Sequence, residues 1–174
     1  MSKDLDEDLL VVARALLNLL TQHGWSLGTA ESVTGGMVGE AITAVPGASV
    51  SYMGGVISYT DREKTALLGV SAELLKQYGA VSAEVAEAMA QGCRERLNVQ
   101  VGLAATGVAG PTLDDRGMPV GTVFVACARP RACTVERLLL DGNRRHIRVE
   151  STRAALRLAI RLLTATLPGA EEMT

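Results

Sequence analysis

Apolar residues recur at helical spacing from Leu5 to about Gln22, through Leu9, Leu10, Val12, Leu16, Leu17 and Leu20, and Gly24 follows as a stop. This pattern predicts an amphipathic helix. Trp25 to Ala30 reads as a short extended segment, Ser32-Val33-Thr34-Gly35-Gly36 as a turn of small residues, and Met37 to Ala44 as a helix closed by Val45-Pro46-Gly47. Tyr52 to Tyr59 carries Val, Ile and Tyr around Gly54-Gly55 and reads as a strand. Asp61 to Leu68 then reads as a helix with Thr60 or Asp61 as its cap and Gly69 as its end. Ser71 and Ser82 each stand before a Glu and an apolar periodic run, which predicts helices over about 72–78 and 83–97.

Val99 to Ala105 has the continuous apolar character of a buried strand, and Thr106 through Gly117 has the composition of a loop. Val120 to Ala128 and Thr134 to Leu140 read as a hairpin around Arg129-Pro130-Arg131. From Asn143 onward, Ile147, Ala154, Leu158 and Leu162 share one face and several Arg the other, which predicts a long closing helix that frays before Pro168. Strands alternating with helices, then a hairpin and a last helix, imply an α/β fold with a mixed sheet covered on both faces. Ligands of such folds sit beyond the carboxyl ends of strands, here the turns after Ala30, Tyr59 and Ala105.

Composition narrows the class. The 174 residues fit one domain, 1–174 with a core over about 9–165, and 48% hydrophobic against 3% aromatic means a core of Ala, Val, Leu and Ile. A formal charge of −2, with basic residues scattered except near Arg144, Arg145 and Arg148, and few rings to stack bases upon, argue against a dedicated nucleic-acid binder. Cys93, Cys127 and Cys133 have no CxxC spacing and read as reduced core thiols, although Cys127 and Cys133 could face each other across the hairpin. The acidic stretch Met1 to Asp8 lacks the order of a secretory signal, and no apolar run reaches the roughly 18 residues needed to span a bilayer. A cytoplasmic location is the expectation.

Ser32 places a hydroxyl where a strand turns into a helix, followed by Thr34, Gly35 and Gly36, among N–H groups at a positive helix end that suits an anion or a developing oxyanion. Ser32 or Thr34 acting only as an N-cap is the structural alternative. His23 ends the first helix and His146 stands among arginines, both positions of surface residues rather than of a triad. The GxSxG elbow is absent, because Ala30 and Thr34 occupy its glycine positions, and two histidines without a carboxylate or cysteine set do not suggest a catalytic metal.

Lysine can replace histidine as the base when burial or positive charge lowers its proton affinity. Lys3 falls in the terminus and Lys76 on a polar helix face, whereas Lys64 follows a strand end five residues after Tyr59, and both can turn toward the crevice of Ser32. An exposed Lys64 paired with Asp61 or Glu63 is the alternative, as is a core role for Tyr59. Thr106, Gly107, Ala109 and Gly110 offer a second anion cradle, and Arg144 or Arg145 can hold a phosphate, unless these simply form a structural loop and a solvated face.

The motifs Thr29-Ala30-Glu31-Ser32-Val33-Thr34-Gly35-Gly36, Gly55-Val56-Ile57-Ser58-Tyr59-Thr60 with Lys64, Leu68-Gly69-Val70, Gly79-Ala80-Val81-Ser82, Thr106-Gly107-Val108-Ala109-Gly110-Pro111, Pro119-Val120-Gly121-Thr122-Val123 and Gly142-Asn143-Arg144 occur in one order. With them the chain resembles, from about Leu9 to Leu163, the C-terminal domain of competence/damage-inducible protein CinA and its stand-alone relatives, the nicotinamide-nucleotide amidases. The resemblance implies a three-layer α/β/α sandwich with a mixed, mostly parallel sheet, a homodimer, and hydrolysis of nicotinamide mononucleotide to nicotinate mononucleotide and ammonia without metal or organic cofactor. It also implies a serine nucleophile with a lysine and a tyrosine, which fall on Ser32, Lys64 and Tyr59. Val33 stands where relatives often have Cys and Met118 where Lys is common, departures beside the expected binding loops. The relatives' longer N-terminal domain is missing from the sequence, so the stand-alone form is expected. Two other readings stay open: a non-catalytic nucleotide-binding or protein-interaction module of a competence or DNA-damage response, and an enzyme for another small amide.

Overall fold

The computed structural model describes residues 7–166, so Lys3, the expected helix start at Leu5 and Pro168 lie outside the described residues. The elements follow in the order α1 (Glu7–His23), β1 (Leu27–Glu31), α2 (Met37–Thr43), β2 (Tyr52–Ile57), α3 (Asp61–Leu68), α4 (Ala72–Tyr78), α5 (Ala83–Arg96), β3 (Val101–Gly107), β4 (Thr122–Arg129), β5 (Ala132–Leu139) and α6 (Arg144–Thr164), with a 3-10 turn at Ala48–Val50. Four helices start at polar capping side chains, of which Thr60, Ser71 and Ser82 were expected and Asn143 was not: each accepts the N–H of the residue three positions on. Among the described residues no helix is long and apolar enough to cross a membrane.

The strands form one sheet in the order β2-β1-β3-β4-β5. β1 runs parallel to both β2 and β3, whereas β3–β4 and β4–β5 are antiparallel. The sheet is therefore mixed as expected, but evenly divided rather than mostly parallel. Antiparallel pairing with β4 also carries β3 past its expected end, placing Thr106 and Gly107 opposite Phe124 and Val123 in the ladder instead of in a loop. In the hairpin, Cys127 pairs with Thr134 and Cys133 with Ala128, so the two thiols project from opposite faces and do not meet.

Helices cover both faces, giving three layers. On one face α1, α2 and α6 bury Leu16, Leu20, Ile42 and Leu156 against Leu103, Val123 and Val125; on the other α3, α4 and α5 bury Leu68, Leu75, Val85 and Met89 against Ala30, Ala104 and Ala126. Small residues on the second face let the backbones approach closely. At Gly92 of α5 a Cβ would lie 1.9 Å from the carbonyl oxygen of Leu68, so only glycine lets the end of α3 rest on α5. That contact sets the position of the helix carrying Lys64.

Candidate active site

Ser32 follows the last residue of β1, and its N–H donates to the carbonyl of Ala105 (2.9 Å), extending the β1–β3 pairing by one residue. The preceding residue, Glu31, turns its carboxylate back under the Ser32–Gly36 turn. It accepts from the Thr34 hydroxyl (2.7 Å) and from the N–H groups of Gly36 (3.0 Å), Val38 (3.0 Å) and Gly39 (2.8 Å). Gly36, at φ 100°, stands at the N-cap of α2 with no side chain of its own to cap the helix, so the carboxylate from the strand supplies the cap and meets the positive helix end. Arg148 of α6 clamps the same turn, donating to the Thr34 carbonyl through Nη2 (2.7 Å) and Nε (3.3 Å).

This arrangement changes what the turn offers. The N–H groups expected to receive an oxyanion are already engaged, Gly36 with Glu31 and Gly35 with the Ser32 carbonyl (3.2 Å). The next available N–H groups are those of Val33 and Thr34, which meet no protein acceptor among the described residues. Neither Ser32 nor Thr34 acts as the cap, because Glu31 does.

The Ser32 hydroxyl points instead to Lys64. Lys64 Nζ lies 3.2 Å from Ser32 Oγ and 3.1 Å from the Ser58 carbonyl, and the side chain is 1% exposed. It is not a solvated helical lysine. Burial pushes its ammonium below the ordinary lysine value, and the negative charge of Asp61 acts in the opposite direction. An amine held so close to a hydroxyl can accept its proton once neutral.

Ser32 and Lys64 form the floor of a cleft of about 290 Å³ whose wall includes Tyr59, Thr106, Gly107, Ala109, Gly110 and Arg144. Tyr59 is 58% exposed, and its hydroxyl accepts from Arg144 Nη2 (2.9 Å) while Arg144 Nη1 donates to the Gly110 carbonyl (2.5 Å). The tyrosine thus shares the cleft with the pair, but its hydroxyl is bonded to arginine rather than to either member. The Thr106 hydroxyl donates to the Ala80 carbonyl (2.7 Å), tying the end of β3 to the turn between α4 and α5. Of the residues expected to bind substrate, Thr34, Gly35, Gly36 and Arg145 do not line the cleft: the first three are folded onto Glu31 and Arg148, and Arg145 is exposed on α6. His146 is exposed and His23 meets the Leu163 carbonyl (2.9 Å), both away from Ser32.

Glu31, Asp61, Asp114 and Arg148 escaped the reading of the sequence as site residues. Glu31 carried a usable signal, being the one charged side chain in a strand whose five residues are all buried. The model of the CinA C-terminal domain matches residues 10–163. The chain belongs to that family. Among curated relatives, a CinA-like protein of Acidobacterium capsulatum is 43% identical over 148 residues, which are 85% of this chain and 36% of that protein. A CinA-like protein of Geotalea daltonii is 42% identical over 159 residues, 91% of this chain and 38% of the relative. The chain therefore spans little more than a third of the length of these relatives. The crystal structure of competence/damage inducible protein CihA from Agrobacterium tumefaciens superposes with a TM-score of 0.86 at 35% identity, covering 93% of this chain and 99% of that one.

Proposed function

We propose that this CinA-family chain is an amidase that hydrolyses the carboxamide of nicotinamide mononucleotide to the carboxylate and ammonia. The observation that carries this reading is the buried approach of Lys64 Nζ to Ser32 Oγ at 3.2 Å on the floor of a cleft. Neutral Lys64 takes the hydroxyl proton as Ser32 Oγ attacks the carboxamide carbon, and the carbonyl π bond opens to an oxyanion, for which the N–H of Val33, a residue of the cleft lining, is the free donor. As the C–N bond breaks, Lys64 returns the proton to the nitrogen and ammonia leaves. Water, losing a proton to Lys64, then adds to the acyl-enzyme, releasing the acid and restoring Ser32.

The volume, about 290 Å³, falls at the small end of ligand pockets, which run from roughly 300 to 1,000 Å³ and suits one nucleotide rather than two. Arg144, fixed between Tyr59 and Gly110, is the cationic group placed to hold a phosphate, orienting the amide toward the pair. Tyr59 supports the arginine in this reading and touches neither Ser32 nor Lys64. Ammonia release from the mononucleotide by wild type, Ser32→Ala, Lys64→Ala and Tyr59→Phe tests the proposal. Ser32→Ala and Lys64→Ala should lose at least about 1,000-fold in kcat, and Tyr59→Phe less, mainly through KM. Full turnover by Ser32→Ala, or mononucleotide binding by wild type without ammonia release, would overturn the mechanism; the second result would favour a non-catalytic nucleotide-binding module.

A further inference from the structure

Asp61 is the first residue of α3 and lines the cleft three positions ahead of Lys64. Its carboxylate has no hydrogen-bond or ion-pair partner among the described residues. For a lysine that must become neutral, this is an unfavourable neighbour, because a negative charge holds the proton on. None of the other charged groups described around α3 forms a hydrogen bond or ion pair with Asp61. Arg144 is committed to Tyr59 and Gly110, and Asp114, on the cleft rim, accepts the N–H groups of Arg116 (2.9 Å) and Met118 (2.7 Å) of its own loop. Arg62 and Glu63 approach each other at 3.6 Å, Arg96 of α5 stands beside Gly69 at the far end of α3, and the Arg116 guanidinium donates to carbonyls at the end of α4. Lys76 of α4 and Arg116 share a separate groove on the outer side of Asp61 without pairing with it.

Asp61 is exposed to solvent, and its place in the cleft lining lets it meet a charge carried by a bound ligand. We propose that Asp61 is a specificity-determining residue that faces a positive charge carried by the substrate next to its carboxamide, so that the cleft selects a cationic ring such as a pyridinium over an uncharged ring of the same shape. The inference rests on the amidase reading given above. It also turns the unfavourable neighbour to use: when the cationic ring enters, its charge offsets that of Asp61, Lys64 releases its proton to solvent, and the neutral amine forms with the substrate already in place. The base is thus readied by the substrate it serves.

Two mononucleotides separate charge from shape: nicotinamide mononucleotide, and its dihydro form, in which the ring is uncharged and the ribose and phosphate are unchanged. Ammonia release is measured against pH for both with wild type and Asp61→Asn, and binding of both is measured by calorimetry in the Ser32→Ala background with and without Asp61→Asn. The ratio of kcat/KM for the charged to the uncharged ring should fall about five-fold in Asp61→Asn, as befits one partly exposed charge pair, with the same fall in the ratio of binding constants. The acid limb of kcat/KM should also move to lower pH in Asp61→Asn, a change that a merely structural residue would not produce. An equal loss for both rings, as expected if Asp61 held the ribose or only the helix, would overturn the inference, and so would an unchanged ratio. If wild type releases no ammonia from either ring, the amidase reading fails, and the binding ratio alone still decides whether Asp61 reads charge.

Discussion

Replacing Glu31 by Gln keeps the shape of the side chain and removes what the Ser32 turn depends on. The carboxylate is 2% exposed; one oxygen accepts from Thr34 Oγ1, Gly36 N and Val38 N, and the other from Gly39 N. With the amide oxygen at the three-donor position, the new NH₂ group faces the Gly39 N–H, so one hydrogen bond becomes a meeting of two donors and the other three lose their charged acceptor. Leaving one buried donor unmet costs about 1–3 kcal/mol, and the weakening of three charge-assisted bonds adds to it. Partial exposure of Gly36 and Gly39 lets water offset some of this, so about 3 kcal/mol is the net expectation. For a domain of this size that is a drop in Tm of roughly 6–12 °C, which leaves a folded protein on the usual stability scale. Urea unfolding should show a lower midpoint with an unchanged slope, and ammonia release by the folded variant should fall in kcat more than it rises in KM. An unfolding midpoint equal to that of wild type would refute the view that Glu31 holds the turn.

Two further outcomes follow from the same geometry. Because the folded pKa of Lys64 lies below its unfolded value, the unfolded chain binds more protons between the two, and stability should rise with pH across that window; Lys64→Met should remove this rise, measured as the difference in urea midpoints between variant and wild type from neutral to alkaline pH. Gly92→Ala places a Cβ 1.9 Å from the Leu68 carbonyl oxygen, and should destabilise by about 3 kcal/mol while pushing α3, and Lys64 with it, off α5; a variant as stable and as active as wild type would show that the α3–α5 contact does not set the site.

The elements were legible because their signals are local. Caps at Thr60, Ser71 and Ser82, stops at Gly24 and Gly69, and the apolar stripe of α1 each lie within a few residues of what they control. The balance of parallel and antiparallel pairing was not legible, because which strand lies beside β3 depends on long-range contacts that leave no mark in β3 itself. The site divides in the same way. Lys64 could be singled out by elimination and by its distance from a strand end, and its burial decides between the two readings that the sequence left open. Gly35 and Gly36 look in sequence like an open cradle, but the acceptor that fills it, Glu31, reaches them only after the chain has turned, and the clamp on Thr34 comes from Arg148, 114 residues away.

The topology explains why a serine and a lysine separated by 32 positions meet at all. β1 lies between β2 and β3 and is parallel to both, with Glu31 opposite Ile57 on one side and Ala105 on the other, so the chain leaves all three strands at the same edge. The connection from β1 to β2 passes through α2 on one face of the sheet, and that from β2 to β3 passes through α3, α4 and α5 on the other. At such a switch point the two connections part and leave a crevice between neighbouring strand ends. Ser32 is the first residue past β1, and Ser58, the first past β2, donates its N–H to the Glu31 carbonyl (2.9 Å), which holds the two exits together. α3 begins three residues later, and its first turn brings Lys64 back over both exits, where its amine meets the hydroxyl of one serine and the carbonyl of the other. Burial of that lysine is thus a consequence of strand order, and the lowered proton affinity that suits it to act as a base comes from the same packing that closes the second core.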